Sequence, residues 1–150
     1  AELAIFKMNP RAVSNGGTEV DLQPLGTEGQ ETTKFNDKRR YSLTQLSVPL
    51  GVGAKWQLDD YWAFGFEFGV RKTFTDYLDD VSTIYTNLDD LADTHGDVAA
   101  KLADRSWEVS ESGLPLSSAG EMRGDPNFKD WYFQTAFSIS YRFTPIKCPF

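Results

Sequence analysis

Four charged side chains stand apart among small residues: Lys55, Glu67, Arg71 and Arg142. The positions two away from them are largely Gly, Ala and Ser, such as Gly53, Gly65, Gly69 and Ser140. Sparse charges of both signs on such a face suit a narrow enclosed space in which they can pair. These four are therefore candidates for interior ion pairs. Few other residues can do chemistry. Cys148 is the one cysteine, so no intramolecular disulfide or cysteine-based zinc set is available, and the odd thiol either pairs with another chain or stays free. His95 is the one histidine. It stands beside Gly96 with no sign of a Ser or Cys partner and reads as a turn residue. Thr73 to Asp104 holds eight aspartates (Asp76, Asp79, Asp80, Asp89, Asp90, Asp93, Asp97 and Asp104) against one lysine. Carboxylate clusters attract calcium, but the EF-hand spacing is missing, and helix caps with a solvated face account for most of them. Arg123-Gly124-Asp125 is an RGD triplet, short enough to arise by chance. No catalytic, cofactor or metal set emerges.

The elements that must position these residues are strands. Leu46, Val48, Leu50, Val52, Ala54, Trp56 and Leu58 alternate with Gln45, Ser47, Pro49, Gly51, Gly53, Lys55 and Gln57. Trp62, Phe64, Phe66, Phe68 and Val70 alternate with Ala63, Gly65, Glu67, Gly69 and Arg71. Trp131, Phe133, Phe137, Ile139, Tyr141 and Phe143 repeat the pattern. Side chains two apart share a strand face, so each run predicts a strand with one apolar face. Asp59-Asp60-Tyr61 makes a tight turn that places Leu58 opposite Trp62. In that register Lys55 and Glu67 are diagonal neighbours on the small-residue face. A blurred alternation over 2–9 predicts a fourth strand, Asn15-Gly16-Gly17 a turn, and residues 20–40 a polar loop. Within 73–129, Asn87 is placed to cap a short helix through Asp93, and Gly96-Asp97 to open another over 98–104.

The chain of 150 residues has a net charge of −7, which argues against a nucleic-acid partner. Its 11 Phe, 6 Tyr and 4 Trp are a heavy load for so polar a composition. Strands of about 10 residues or more are long enough to cross a bilayer when tilted. Antiparallel pairing brings Trp56, Tyr61, Trp62, Tyr141 and Phe143 to one end, and Tyr41, Phe74, Trp131 and Tyr132 to the other. Two aromatic girdles around an apolar band predict a transmembrane antiparallel β-barrel, an all-β fold in the cell outer membrane. Short turns of such barrels are periplasmic and long loops extracellular, which puts the 57-residue segment 73–129 outside the cell and the tail 144–150 in the periplasm. Single-chain barrels have at least eight strands. Four strands therefore read as the C-terminal half of an eight-stranded barrel, with Ala1 as a processed or truncated start.

Several strings resemble the PorG-like family of outer-membrane β-barrels of Bacteroidetes. They are Leu22 to Gln30 (LQPLGTEGQ), Tyr41 to Gln45 (YSLTQ), Val70 to Thr83 (VRKTFTDYLDDVST), Arg123 to Pro126 (RGDP) with Asp130-Trp131-Tyr132, and the ending Ser140 to Phe143 (SYRF). The resemblance implies a non-enzymatic part in the type IX protein secretion machinery, in which the barrel anchors or links the periplasmic ring of PorK and PorN to the outer membrane. The loop topology places Cys148 on the periplasmic, oxidising side, which makes it a candidate intermolecular disulfide; with the resemblance, a partner such as the ring lipoprotein is implied. A small barrel that binds an extracellular ligand or cation through the acidic 76–104 segment is the alternative. A barrel enzyme would need a His–acid or Ser–His arrangement at strand ends, which His95 does not supply.

Overall fold

The computed structural model describes residues 2–33 and 38–143. Cys148 and the tail 144–150 lie outside these residues, so the thiol expectation has no structural counterpart. The described chain forms β1 (Ala4–Lys7), β2 (Arg11–Val13), β3 (Glu19–Asp21), β4 (Thr44–Gln57), β5 (Trp62–Thr73), α1 (Leu88–His95), α2 (Asp97–Ala103) and β6 (Trp131–Tyr141). An antiparallel sheet has the order β1-β4-β5-β6, and β2 pairs with β3 separately. The four strands expected from alternation are the four strands of the main sheet. The β2–β3 hairpin has no counterpart in the sequence reading: no element is expected over Arg11–Val13, and β3 overlaps the start of the stretch read as a polar loop. Its strands have three residues each, too few for a period to register, although Asn15-Gly16-Gly17 does form their turn.

The register follows the alternation. Leu50 pairs with Val70, Ala54 with Phe66 and Gln57 with Ala63. The Leu58 amide donates to the Trp62 carbonyl at 2.9 Å and closes the three-residue turn. Asp59 tightens it by accepting the Tyr61 and Trp62 amides at 2.8 and 2.7 Å. On the other side Phe66 pairs with Phe137 and Trp62 with Tyr141.

This sheet is strongly curled. In a flat sheet its edge strands would lie three strand spacings, roughly 14 Å, apart. Yet the rings of Phe6 on β1 and Tyr132 on β6 approach to 5.6 Å across the concave side. The concave face is where the small residues stand, and Gly51 shows why: a Cβ there would come 3.1 Å from the Phe68 carbonyl oxygen. The result is an open half-barrel whose lining is Gly, Ala and Ser with isolated charges.

Residues 74–128 are a folded lobe rather than an irregular excursion, and they pack with 22–33 and 38–41. The lobe's apolar core is small: Leu91, Ala99 and Ala103, with Leu25 and Leu88 packed on it. Helix α1 starts as expected, with the Asn87 side chain accepting from the Asp90 amide and Asp89 and Asp90 in the first turn. Acidic residues there oppose the positive end of the helix dipole. Helix α2 differs by one residue, because Gly96 is its N-cap and Asp97 its first helical residue. Replacing Asn87 by alanine is expected to cost about 1 kcal/mol of local stability. Amide hydrogen exchange across Leu88–His95 measures it; protection equal to the parent would mean that packing, not the cap, holds α1.

Candidate functional site

The convex face of the half-barrel is the first feature a function must explain. It consists of ladder rows in which Leu50, Val70 and Phe133 align, then Ala54, Phe66 and Phe137, then Trp56, Phe64 and Ile139. In solution a soluble sheet would cover such a surface. Here Leu50, Val52, Phe133, Phe137 and Ile139 are 66–74% exposed. Contiguous exposed apolar surface of this kind marks an interaction with lipid or another protein.

Aromatic side chains gather at the turn end of that face. Trp62 and Tyr141 have ring centroids 4.7 Å apart, Tyr61 stacks near Tyr141 at 6.1 Å, and Phe143 meets Tyr141 edge-on at 5.3 Å. Trp56 stacks with Phe64 at 5.8 Å one row inward. The lobe end carries Trp131 and an exposed Phe74. Lys72 joins them, its ammonium 4.7 Å from the Trp131 ring centre and 2.6 Å from the Lys129 carbonyl oxygen. A lysine that keeps its head at one end while its stem covers apolar surface suits an interface between oil and water. Two residues expected in this second girdle lie elsewhere. Tyr132 is on the concave face against Phe6, because it has the opposite parity to Trp131. Tyr41 precedes β4 and turns into the lobe, where it stacks on Tyr77 at 4.4 Å.

The concave face encloses an open cavity of about 360 Å3 lined by Gly51, Gly53, Gly69, Glu67, Arg71 and Gln134. Lys55 lies opposite Gly65, and Glu67 opposite Gly53 and Ala136, so Lys55 and Glu67 are the diagonal neighbours expected. Arg71 sits opposite Pro49 and Tyr132. Among the described residues none of Lys55, Glu67, Arg71 and Arg142 forms an ion pair within 4 Å; Arg71 instead places its guanidinium 5.7 Å from the Tyr132 ring centre, with the phenol oxygen 3.4 Å from Nη1. The Arg142 amide donates to the Tyr61 carbonyl at 2.7 Å, at the turn end of the sheet.

Above the sheet, the lobe is closed by a knot of buried polar groups that composition did not announce. Glu28 is its centre, with a fully buried side chain. Its Oε1 accepts the Ser82 and Thr83 amides at 2.7 and 2.8 Å. Its Oε2 accepts the Thr83 hydroxyl at 2.7 Å and the Tyr77 hydroxyl at 3.2 Å. Lys38 and Arg123 each approach a Glu28 oxygen at 3.5 Å. Asp80 lies alongside, in the left-handed region at φ 67. It accepts the Thr27 hydroxyl at 2.5 Å and the Tyr41 hydroxyl at 2.6 Å. Arg123 also donates to the Asp80 carbonyl at 2.8 Å. The RGD triplet is thus structural in its first two members. The Arg123 side chain is only 9% exposed, and a Cβ at Gly124 would fall 2.8 Å from the Ser82 carbonyl oxygen. Thr27, Glu28, Tyr41, Asp80, Thr83 and Arg123 all come from the strings quoted for the family resemblance. Their shared role is to tie four remote segments together.

Burial and charge pull these groups in different directions. Burial pushes Glu28 up, but the Ser82 and Thr83 amides, the Thr83 hydroxyl and Lys38 outweigh it, so its pKa lies below the ordinary 4.5. Burial raises Asp80 above 3.8 despite its hydrogen bonds and Arg123. Tyr77 is pushed up to about 12 by burial and by the Glu28 charge. A depressed acid contributes stability above its unfolded pKa and loses it as pH falls through its folded pKa. The stability gap between the parent and Glu28→Gln is therefore expected to be about 1–3 kcal/mol at pH 7, and to shrink below pH 4.5. Asp80 has the opposite sign, because its raised pKa makes protonation favour the fold. Unfolding of the lobe followed from pH 7 to 3 checks this; a gap that widens on acidification would contradict it.

Two further chemistry-bearing residues are engaged structurally. His95 is the last residue of α1, not a turn residue, and its Nε2 lies 2.8 Å from the Gln30 carbonyl oxygen. Asp104 accepts the Ser106 amide at 2.9 Å and the Ser117 amide at 3.3 Å. Among the described residues no group of three His, Cys, Asp or Glu side chains is arranged to hold a metal ion. Comparisons with protein-family models, with curated proteins and with solved structures returned no match.

Proposed function

We propose that this chain forms part of an outer-membrane β-barrel whose convex face meets lipid. The observation that carries the reading is the exposed apolar face flanked by aromatic residues at both ends, on a sheet curled around a small-residue interior. Lipid offers no hydrogen bonds to backbone, so a sheet within it must close on itself. The free edges of β1 and β6 then need partners, and four further antiparallel strands supplied upstream in the same polypeptide complete an eight-stranded barrel. A barrel of that size is filled by its own side chains and is no general pore. The contact between Phe6 and Tyr132 across the concavity agrees with such a narrow bore.

Within that class, the quoted strings favour a PorG-like component of the type IX secretion machinery. In this reading the barrel is non-enzymatic, anchors the ring of PorK and PorN from the periplasmic side, and displays the acidic lobe outside the cell. Cys148 is then a candidate tether to a periplasmic partner, and Cys148→Ser should remove a high-mass band from non-reducing gels. The anchoring role is tested by affinity purification of the complete protein from membranes, together with a deletion strain. Recovery of PorK and PorN and loss of secretion are expected. A protein recovered alone, with secretion intact in its absence, would overturn the role while leaving the barrel untouched.

A further inference from the structure

A second cavity, of about 300 Å3, lies between the lobe and the β2–β3 turn and shares no lining residue with the knot or the barrel interior. Its walls come from separate parts of the chain: Asn15 at the β2–β3 turn, Leu88 of α1, Ala100 and Lys101 of α2, and Trp107 and Pro115 in the following loop. That volume is at the lower end of small-molecule sites, and a mostly apolar wall with a few polar groups is their usual make-up. Trp107 is held in place because its indole Nε1–H donates to the Lys101 carbonyl at 3.2 Å. Its ring therefore offers a fixed flat face, with Leu88, Ala100 and Pro115 around it.

Lys101 supplies the polar contrast. Residues 74–128 carry twelve acidic and three basic side chains. Arg105 is paired with Glu108 at 2.6 Å, and Arg123 is buried against Glu28. Lys101, by contrast, forms no ion pair within 4 Å among the described residues, and neither its ammonium nor the Asn15 amide makes a hydrogen bond there. Lys101 and Asn15 both contribute to the wall, and an unpaired cation with an amide in the wall of an otherwise apolar cup is complementary to a compact anion on an apolar body. A carbohydrate would need hydrogen-bond acceptors as well as donors, and the cup has no carboxylate in its wall.

We propose that this cup binds a small carboxylate bearing a flat apolar group, with the ring against Trp107 and the carboxylate on Lys101 and Asn15. The site uses the lobe and the β2–β3 turn but no residue of the main sheet, and stands whether or not that sheet lies in a membrane. The probe is 4-phenylbutyrate, compared with its neutral amide, titrated into the full chain at physiological salt. The readout is the NMR signal of the Trp107 indole N–H, with those of Trp56, Trp62 and Trp131 as internal controls. Saturable movement of the Trp107 signal alone is expected, with the amide binding at least fivefold more weakly. Lys101→Met should bring acid and amide to equal affinity while the α2 amide signals stay in place. Equal binding of acid and amide by the parent, an undisturbed Trp107 signal, or an acid preference that survives Lys101→Met would each overturn the proposal.

Discussion

Replacing Arg123 by alanine is expected to destabilise the lobe by about 3–5 kcal/mol while leaving the four-stranded sheet paired. The guanidinium reaches three parts of the knot from one nitrogen: Thr27 Oγ1 at 3.2 Å, Glu28 Oε1 at 3.5 Å and the Asp80 carbonyl at 2.8 Å. Without it the buried Glu28 carboxylate keeps, among the described residues, only Lys38 as a countercharge, at 3.5 Å. The cost of breaking a buried pair comes mainly from the charge left behind. Arg123→Ala combined with Glu28→Gln should therefore recover part of the loss. Hydrogen exchange at residues 27–30 and 80–83 reads the effect directly. Unchanged protection there would mean that the apolar contacts around Leu91 suffice to hold the lobe.

The second large effect concerns two adjacent residues with opposite surroundings. Phe137 projects from the middle row of the convex face, its ring 5.3 Å from that of Phe66. Lysine there is expected to cost about 2–4 kcal/mol in a bilayer, the penalty for a cation near the midplane of a lipid-facing strand. Ala136 points to the concave side and pairs across the ladder with Glu67. Lysine at 136 gains an opposite charge directly across the strands, a pair worth a few tenths of a kcal/mol or more. Denaturant unfolding of both variants in lipid vesicles separates them. Equal penalties would mean that the two faces meet the same environment.

What could be read from the residues alone depended on the range over which each signal acts. Period-two alternation over eleven or more residues defined β4, β5 and β6, because each residue reports its face independently of distant contacts. The parity of the Asp59–Tyr61 turn set the register for the same reason. The Asn87 cap was legible because the bond it makes closes within three residues. The polar knot was not. Glu28, Asp80 and Arg123 are far apart in the chain, and each resembles an ordinary surface charge until the fold gathers them. Tyr41 was misplaced for that reason: its position beside β4 suggested a girdle, whereas Asp80 and Tyr77 draw it into the lobe. The β2–β3 hairpin escaped because three-residue strands carry no usable period. On the concave face, the Lys55–Glu67 diagonal was legible from register, but the stacking of Arg71 on Tyr132 required the curl of the sheet.

The most direct test of the account is a nitroxide scan along β6 in lipid vesicles, with Cys148 replaced by serine in the complete protein. Labels at 131–141 are probed for collision with oxygen, which concentrates in the acyl region, and with a water-soluble nickel chelate. A lipid-facing convex side predicts a two-residue period, with oxygen collisions highest at Phe133, Phe137 and Ile139 and low at Gln134, Ala136 and Ser138. Nickel accessibility at Phe137 as high as that of a soluble surface residue, with no alternation along the strand, would contradict it.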